Sequence, residues 1–429
     1  MSSATPAGQP TGAQYLGLVG LGAAIGIPAA LVGALFFAFV HFLEGWLWHD
    51  LPDGLGYVSP PWFLVLGLPA AGALLVALAR LLLPGDGGHS PLGGLSAEPT
   101  PVSHAPGIAL AAIGTLGFGA VLGPEMPVVA LGSVVGVAAS KLARLGSRES
   151  AVLSTAGSFS AISALFGGPI VAGMLLIESG LGMGAALLPI LVPGFVAAAV
   201  GYVVFVGFGD WGGLDSPGLT VPDLPLYDGT HLSDLAVAVA VGVLAALIVF
   251  GARRLAFRIG GLKGRLAIPG LLLAGGLAVG AIALLADGLG ADSQDILFSG
   301  QASIPVVVSA DSTKIVLILL AGKFLAYGVS LGCGFRGGAI FPAIFLSVAL
   351  ASLAVVWFDV SPTLAIAIGA SAGMAAQARL LISGLIFGAL LVGTQNVDVV
   401  PAAVLAGASA WIVATTLHRE PSRGDSAHG

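Results

Sequence analysis

Long apolar runs follow one another along the whole chain and are separated by short polar breaks. A helix needs about 20 apolar residues to cross the hydrocarbon core of a bilayer, and unbroken runs of that length favour helices over strands. The pattern therefore predicts an all-α polytopic membrane protein. The predicted apolar segments lie near residues 15–40, 62–83, 107–122, 127–140, 151–177, 184–206, 235–251, 267–286, 314–332, 342–357, 363–378, 380–393 and 398–417.

Several of these segments, notably 107–122, 342–357 and 380–393, are shorter than a full span of about 20 residues. Glycine and proline, which both interrupt helices, occur 66 and 26 times. In a bilayer, a broken helix persists only where it is buried in protein or lines a cavity. The sequence thus predicts tilted and broken helices that surround a transport path.

The amino-acid composition excludes several classes of protein. Hydrophobic residues make up 57% of the chain and charged residues 8%, whereas soluble domains carry about 25% charged residues. This excludes a soluble enzyme, and it excludes a nucleic-acid binder, which needs a basic face. The chain shows no zinc-type ligand spacing, phosphate loop or Ser-His-Asp set outside the membrane. We therefore predict no enzyme, no metal site and no cofactor.

Charged loops indicate the orientation in the membrane. Basic residues cluster in 141–148 and 253–265, and the positive-inside rule places both loops in the cytoplasm. The loop Gly207–Asp234 carries five aspartates and no lysine or arginine, so we place it outside. We predict a single multi-pass transmembrane domain over residues 15–417 in the plasma (inner) membrane, with cytoplasmic tails at 1–14 and 418–429.

An internal repeat relates the two halves of the chain. The stretch Gly123–Pro127 matches Gly338–Pro342, which follows 215 positions later. Two further matches, 173–177 with 388–392 and 155–157 with 371–373, have offsets of 215 and 216. These matches predict one repeat over about 15–206 and a second over about 235–417. Where such repeats are inverted, the substrate site lies between paired broken helices near the middle of the bilayer.

Glu125 is the only Asp, Glu, Lys or Arg between Pro99 and Ser140. An ionisable residue inside an apolar segment is costly and usually functional. Gly123-Pro124-Glu125-Met126-Pro127 reads as a helix start, where free N–H groups and the positive dipole end favour anions. Glu125 is therefore predicted to occupy an anion site itself and to release it when protonated or displaced. The alternative is an acid that only stabilises its own helix.

Residues Gly337–Pro342 repeat this construction without the carboxylate. The free N–H groups of Ala339, Ile340 and Phe341 are predicted to point at the same region. Arg336, which precedes them, either raises the local positive potential or caps carbonyl groups and snorkels.

A third loop, Gly87–Pro91, precedes another apolar segment. Its residues His89 and Ser90 are candidate donors to an anion. Glycine, serine and proline at these positions are equally typical of an ordinary turn.

Together, the three loops resemble the signatures of the CLC family of chloride channels and chloride/proton transporters. Gly88–Leu92 resembles the family's Gly-His-Gly-x-Pro, Gly123–Pro127 its Gly-(Lys/Arg)-Glu-Gly-Pro, and Gly338–Pro342 its Gly-x-Phe-x-Pro. The resemblance covers about residues 15–417. It implies a homodimer of two independent pores, each subunit an inverted repeat, with Glu125 as the gating glutamate. The implied anion-binding residues are His89, Ser90, Gly123, Met126, Gly338, Ala339, Ile340 and Phe341.

The chain also departs from the family pattern. Pro124 stands at the family's basic position, Ile340 stands where phenylalanine is usual, and no tyrosine follows Tyr327 to match the family's pore tyrosine. The transporters' inner proton-relay glutamate falls at Ser179, next to Glu178. A register shift of one residue would give the relay to Glu178.

These observations predict anion transport, with chloride as the first candidate, through a pore gated by Glu125 and by protons that bind there. With Ser179 at the relay position, we expect channel-like transport rather than tight proton coupling. The alternatives are a proton-coupled antiporter of chloride, fluoride or nitrate, a carrier of another substrate, and a membrane scaffold that transports nothing. For a scaffold, Glu125 would be dispensable.

Overall fold

A computed structural model of the protein describes residues 12–94, 98–180, 187–208, 211–214, 221–264 and 267–417. The predicted tails lie outside these residues except for positions 12–14, and so do Asp210 and Asp215 of the acidic loop and Arg265 of the second basic cluster. Throughout the described part, the chain forms helices and loops with no β-strand. Nine helical stretches there are long and apolar enough to cross a membrane.

The α-helices vary from four to 34 residues in length. In chain order they are α1 (Gly12–Gly45), α2 (Leu51–Gly54), α3 (Trp62–Leu82), α4 (Ala105–Leu116), α5 (Glu125–Leu142), α6 (Ser147–Leu165), α7 (Pro169–Gly180), α8 (Leu188–Val206), α9 (Leu232–Gly260), α10 (Ile268–Gly288), α11 (Ser293–Ile296), α12 (Ile304–Val308), α13 (Thr313–Cys333), α14 (Ile340–Phe358), α15 (Pro362–Ala378), α16 (Leu381–Leu391) and α17 (Val400–Leu417). A π-helical turn, Trp46–Asp50, joins α1 to α2.

The predicted segment 151–177 is wrong as a single span, because two helices, α6 and α7, replace it. Gly167 and Gly168 between them have φ angles of 73° and 140°, which glycine adopts without steric cost. Pro169 then begins α7, in agreement with the preference of proline for a first helical position. The apolar composition continues through this break, so hydropathy alone does not detect it.

Two of the three segments singled out as short are indeed short helices, α4 with 12 residues and α16 with 11. The third, 342–357, is wrong as a short segment, because α14 has 19 residues. Helix α14 is buried along most of its length. Its N-terminal turn contains Pro342, which the sequence pattern placed at the edge of the segment rather than inside the helix.

The described residues belong to two compact units. The described residues within Met1–Phe36, Ala97–Ala105 and Val128–Pro217 form the first, and those within Phe37–Ser96, Pro106–Pro127 and Gly218–Gly429 form the second. In the first unit, α6 packs against α7 and α8. Buried hydroxyl groups there hydrogen-bond to each other, with 2.7 Å between Ser133 Oγ and Ser154 Oγ, which satisfies polar atoms that have no access to water.

In the second unit, the buried helix α15 packs against α14, α16, α17 and α9, and α3 packs against α10. A Cβ atom at Gly276 of α10 would collide with the main chain of Pro69 in α3. Small residues allow membrane helices to approach this closely. The second unit contains both Gly-x-x-x-Pro loops and the N-terminal turn of α5.

Candidate anion site at two helix N-termini

Glu125 is the first residue of α5, and its side chain has no solvent exposure. The main-chain N–H of Ile340, the first residue of α14, donates a hydrogen bond of 2.6 Å to Glu125 Oε1. The N–H groups of Glu125 itself and of Phe341 also lie near the carboxyl group. Two helix N-termini therefore meet at one carboxylate, as the sequence pattern predicts for the two loops.

A pair of main-chain hydrogen bonds joins the two loops next to this carboxylate. Gly123 N–H donates to Gly338 O at 2.8 Å, and Gly338 N–H donates to Gly123 O at 2.5 Å. The two matching positions of the predicted repeat are thus directly bonded. Because each N–H serves the other loop, these two glycines do not present a free N–H group at the site.

The same two glycines make room for the carboxylate. A Cβ atom built on either Gly123 or Gly338 would overlap the carboxyl group of Glu125. Glycine is often found where a main chain must approach another group closely. Their predicted part in anion binding therefore concerns the shape of the site rather than donated hydrogen bonds.

Arg336 contacts the Gly85–Gly88 turn rather than Glu125. Its Nε donates to Asp86 O at 2.9 Å, and its Nη2 forms a short contact with Asp86 Oδ2. Arg80 binds the same carboxylate, with Nε 2.8 Å from Asp86 Oδ1, and donates from Nη1 to Gly334 O at 3.0 Å. Two largely buried guanidinium groups thus share one half-exposed carboxylate and tie the Gly85–Gly88 turn to the loop before α14.

His89 and Ser90, which follow this turn, have exposed side chains. Met126, the second residue of α5, is half-buried. Ala339 is buried and is the N-cap residue of α14. The structure therefore brings Glu125 together with Gly123, Gly338 and Ile340, whereas it leaves His89 and Ser90 at the surface of the second unit.

Glu178 and Ser179 lie in the last turn of α7, in the first unit. Glu178 is half-buried and Ser179 is exposed. The hydroxyl of Ser179 donates to Leu175 O at 2.5 Å, one turn back along the helix. The hydroxyl at the predicted relay position therefore has a local partner.

Sequence reasoning missed Lys323, which is fully buried in the middle of α13. Its ammonium group donates to Leu297 O at 2.7 Å and lies 4.8 Å from the centre of the Phe345 ring. The signal that singles out Glu125 was present here too, because Lys323 is the only Asp, Glu, Lys or Arg from 315 to 335.

A second missed residue is Tyr327, one turn further along α13. It is fully buried, and its hydroxyl donates to Ala339 O at 2.9 Å. No sequence signal identifies a main-chain carbonyl as a partner, so the sequence alone does not predict this contact.

The arrangement at Glu125 suits a small anion. Main-chain N–H groups and the positive dipole ends at the starts of α5 and α14 stabilise negative charge there without a lysine or arginine. The described residues contain no cluster of three or more His, Cys, Asp or Glu that could hold a metal ion.

The family model described as "Voltage gated chloride channel" matches residues 92–415. Among curated proteins, the chain is 29% identical over 340 residues to one named "Putative ion-transport protein YfeO" from Escherichia coli O1:K1, with 76% of each chain covered. A protein of the same name from Shigella boydii serotype 4 is 29% identical over 341 residues, also with 76% of each covered.

Solved structures share the fold at lower identity. A slow cyanobacterial Cl−/H+ antiporter is 17% identical with a TM-score of 0.74, covering 94% of this chain and 95% of that one. A CLC-type fluoride/proton antiporter is 20% identical with a TM-score of 0.73, covering 95% and 98%. A eukaryotic CLC transporter is 18% identical with a TM-score of 0.69, covering 95% and 73%.

Proposed function

Because the chain belongs to the CLC family of voltage-gated chloride channels and related transporters, we propose that Glu125 gates its anion path. CLC proteins are multi-pass membrane proteins that transport ions and are not enzymes. In the proposal, a small inorganic anion, chloride first, passes through the site that Glu125 now fills, in the plasma membrane. The protein works as a homodimer whose subunits are each built from two inverted repeats, over about 15–206 and 235–417.

The observation that carries the proposal is the hydrogen bond from Ile340 N–H to Glu125 Oε1, at 2.6 Å. A carboxylate there uses the same donors that an anion would use, so the two compete. Protonation removes the charge of Glu125 and weakens its hold on the N–H groups. A travelling anion can then take its place beside Ile340 and Phe341.

The other predicted residues have supporting parts in this proposal. Gly123 and Gly338 shape the site, and Ala339 positions the first turn of α14. Met126 lines the path, while His89 and Ser90 contact the anion where the path opens to water. Arg336 contributes positive potential from its position between α13 and α14.

We propose channel-like transport without tight proton coupling. The inner relay of the exchangers needs a second carboxyl group, and Ser179 supplies only a hydroxyl that already donates to Leu175 O. An antiporter remains the second candidate, since two similar structures are those of Cl−/H+ and fluoride/proton antiporters. In that case Glu178, half-buried beside Ser179, carries the inner proton.

The test compares Glu125→Gln with the unmodified protein in liposomes at about pH 4.5 and about pH 7.5, one near and one well above the ordinary pKa of a glutamate. Anion efflux from the unmodified protein should rise as the pH falls. Glutamine mimics the protonated acid, so the variant should transport at both pH values alike. Detection of protons in the same vesicles separates the two candidates, because only an exchanger moves protons against their gradient when an anion gradient is imposed.

Glu149→Gln is the matched control, since Glu149 also lies in the first turn of a helix, α6. It should leave both the flux and its pH dependence unchanged. Competition among chloride, bromide, nitrate and fluoride in the same assay identifies the preferred anion. An unchanged pH profile in Glu125→Gln would rule out the gate.

A further inference from the structure

The peptide group between Ala339 and Ile340 is hydrogen-bonded at both of its ends. The hydroxyl of Tyr327 donates to its oxygen, Ala339 O, at 2.9 Å. Its N–H, on Ile340, donates to Glu125 Oε1 at 2.6 Å. One peptide group therefore links a buried tyrosine hydroxyl to the carboxylate at the candidate site.

A trans peptide group is planar, and its C=O and N–H point in opposite directions. The described part of the chain contains no cis peptide bond. Holding the oxygen of Ala339 on the side of α13 therefore aims the N–H of Ile340 away from α13, at the carboxylate. Ala339 is the N-cap residue of α14 and lies at the boundary of the regular helix, where its oxygen has two lone pairs and can accept both the first intrahelical hydrogen bond and the tyrosine hydroxyl.

We propose that Tyr327 is a positioning residue for the anion site and acts through this peptide group. The inference rests on the function proposed above for Glu125 and adds a residue to it. When Glu125 leaves, the same Ile340 N–H faces the anion, so Tyr327 influences anion affinity as well as the hold on the carboxylate. Hydrogen bonds in such a chain also polarise one another and strengthen the terminal donor.

Core packing alone does not account for the hydroxyl. Tyr327 has no solvent exposure, and phenylalanine would fill the same space without a polar atom to satisfy. A buried hydroxyl is costly unless it finds a partner. The partner here is the one carbonyl whose peptide group also carries the N–H bound to Glu125.

The experiment measures chloride flux in liposomes as a function of chloride concentration for Tyr327→Phe, in the unmodified background and in Glu125→Gln. Loss of one neutral hydrogen bond should raise the half-saturating concentration by roughly two- to tenfold in both backgrounds, with the maximum flux unchanged. Persistence of the effect in Glu125→Gln shows that the N–H group serves the anion itself.

Tyr202→Phe is the matched control, because the hydroxyl of Tyr202 also donates to a main-chain oxygen, Gly167 O, at 3.3 Å. It should leave the half-saturating concentration unchanged. Incorporation of 3-fluorotyrosine at position 327 gives a stronger donor of nearly the same size. It should lower the half-saturating concentration, and it keeps the test available if Tyr327→Phe folds poorly.

A folded Tyr327→Phe protein with unchanged half-saturation would overturn the inference, as would a fluorotyrosine shift in the same direction as the phenylalanine shift. Neither outcome affects the gate, because that proposal depends on the pH profile of Glu125→Gln. Conversely, loss of the gate would leave the Tyr327 measurement in the Glu125→Gln background meaningful. The two proposals therefore fail separately.

Discussion

The surroundings of Glu125 and Lys323, two fully buried residues of opposite charge, differ in how completely each charge is satisfied. Lys323 has a carbonyl partner at 2.7 Å, a second carbonyl, Phe298 O, at 3.5 Å and the face of an aromatic ring. Glu125 Oε1 accepts a hydrogen bond from Ile340 N–H, whereas within the described chain no donor meets Oε2 with hydrogen-bond geometry. The Lys323 ammonium group therefore has partners on several sides, whereas one oxygen of the Glu125 carboxylate has no hydrogen-bond donor.

The difference suggests a rule for separating structural ions from mobile ones in a bilayer. A buried charge that must stay in place needs its full set of partners, because an incomplete set costs several kcal/mol without water. A charge that must leave its site benefits from an incomplete set, since less is lost on departure. We therefore interpret Lys323 as structural and Glu125 as the group that moves.

The partners of Lys323 also connect the two regions. Leu297 and Phe298 lie in an irregular segment, and Phe298 has a φ angle of 60°. Phe298 N–H donates to Gly119 O at 3.3 Å, in the loop that leads to Glu125. Trp48 packs edge-on against the Phe298 ring at 5.3 Å and donates from its indole to Gly117 O at 3.1 Å. A fixed lysine thus supports the loop from which the acid extends.

The largest effect on stability is expected for Lys323→Met. Methionine fills a similar volume but leaves the carbonyls of Leu297 and Phe298 without their charged donor, at the depth of the middle of α13. We expect a loss of about 2 to 4 kcal/mol in the free energy of unfolding, measured by thermal unfolding in detergent. The transport that remains per folded molecule should keep its pH dependence.

Lys314→Met serves as the control for this prediction, because Lys314 is an exposed lysine in the first turn of the same helix. It should change stability by less than about 0.5 kcal/mol. A Lys323→Met protein that is as stable as the unmodified one, but has lost the pH response of its flux, would reverse the roles assigned to the two charges.

A smaller effect is expected for Asp86→Asn, which tests an ion cluster that is partly exposed to water, unlike Glu125 and Lys323. Asparagine keeps one acceptor oxygen but no longer neutralises Arg80 and Arg336. Because Asp86 is 54% exposed, solvent screens the interaction, and we expect the free energy of unfolding to fall by about 1 kcal/mol. High salt should reduce the difference between the two proteins, which thermal unfolding at two salt concentrations measures. A salt-independent loss would indicate a packing defect instead.

The sequence predicted the convergence of α5 and α14 because their loops share a pattern and one of them carries an isolated acid. It could not predict that Gly123 and Gly338 bond to each other, since every glycine offers the same main-chain groups. The break between α6 and α7 had a signal, Gly167-Gly168-Pro169, that was outweighed by continuous hydropathy. No sequence signal marked the contacts of Lys323 and Tyr327, because both side chains bind main-chain carbonyls, which every residue carries.

The smallest effect is expected for Asp295→Asn, which tests whether main-chain carbonyls or an ion pair with an acid fix Lys323 in place. Asp295 is the nearby acid whose charge acts on Lys323, and burial raises the pKa of its carboxyl above the ordinary value despite a hydrogen bond with Ser303. A raised folded-state pKa means that stability falls as the pH rises from the unfolded pKa through the folded one. Above that pH window the buried carboxylate is charged and lowers the stability, and asparagine has no such charge. Asp295→Asn should therefore be neutral or slightly stabilising near pH 7, with a change in the free energy of unfolding of less than about 1 kcal/mol. The difference from the unmodified protein should shrink below the unfolded pKa, which thermal unfolding across pH would show. A loss as large as that of Lys323→Met would instead mean that an ion pair, and not the main chain, fixes the buried lysine.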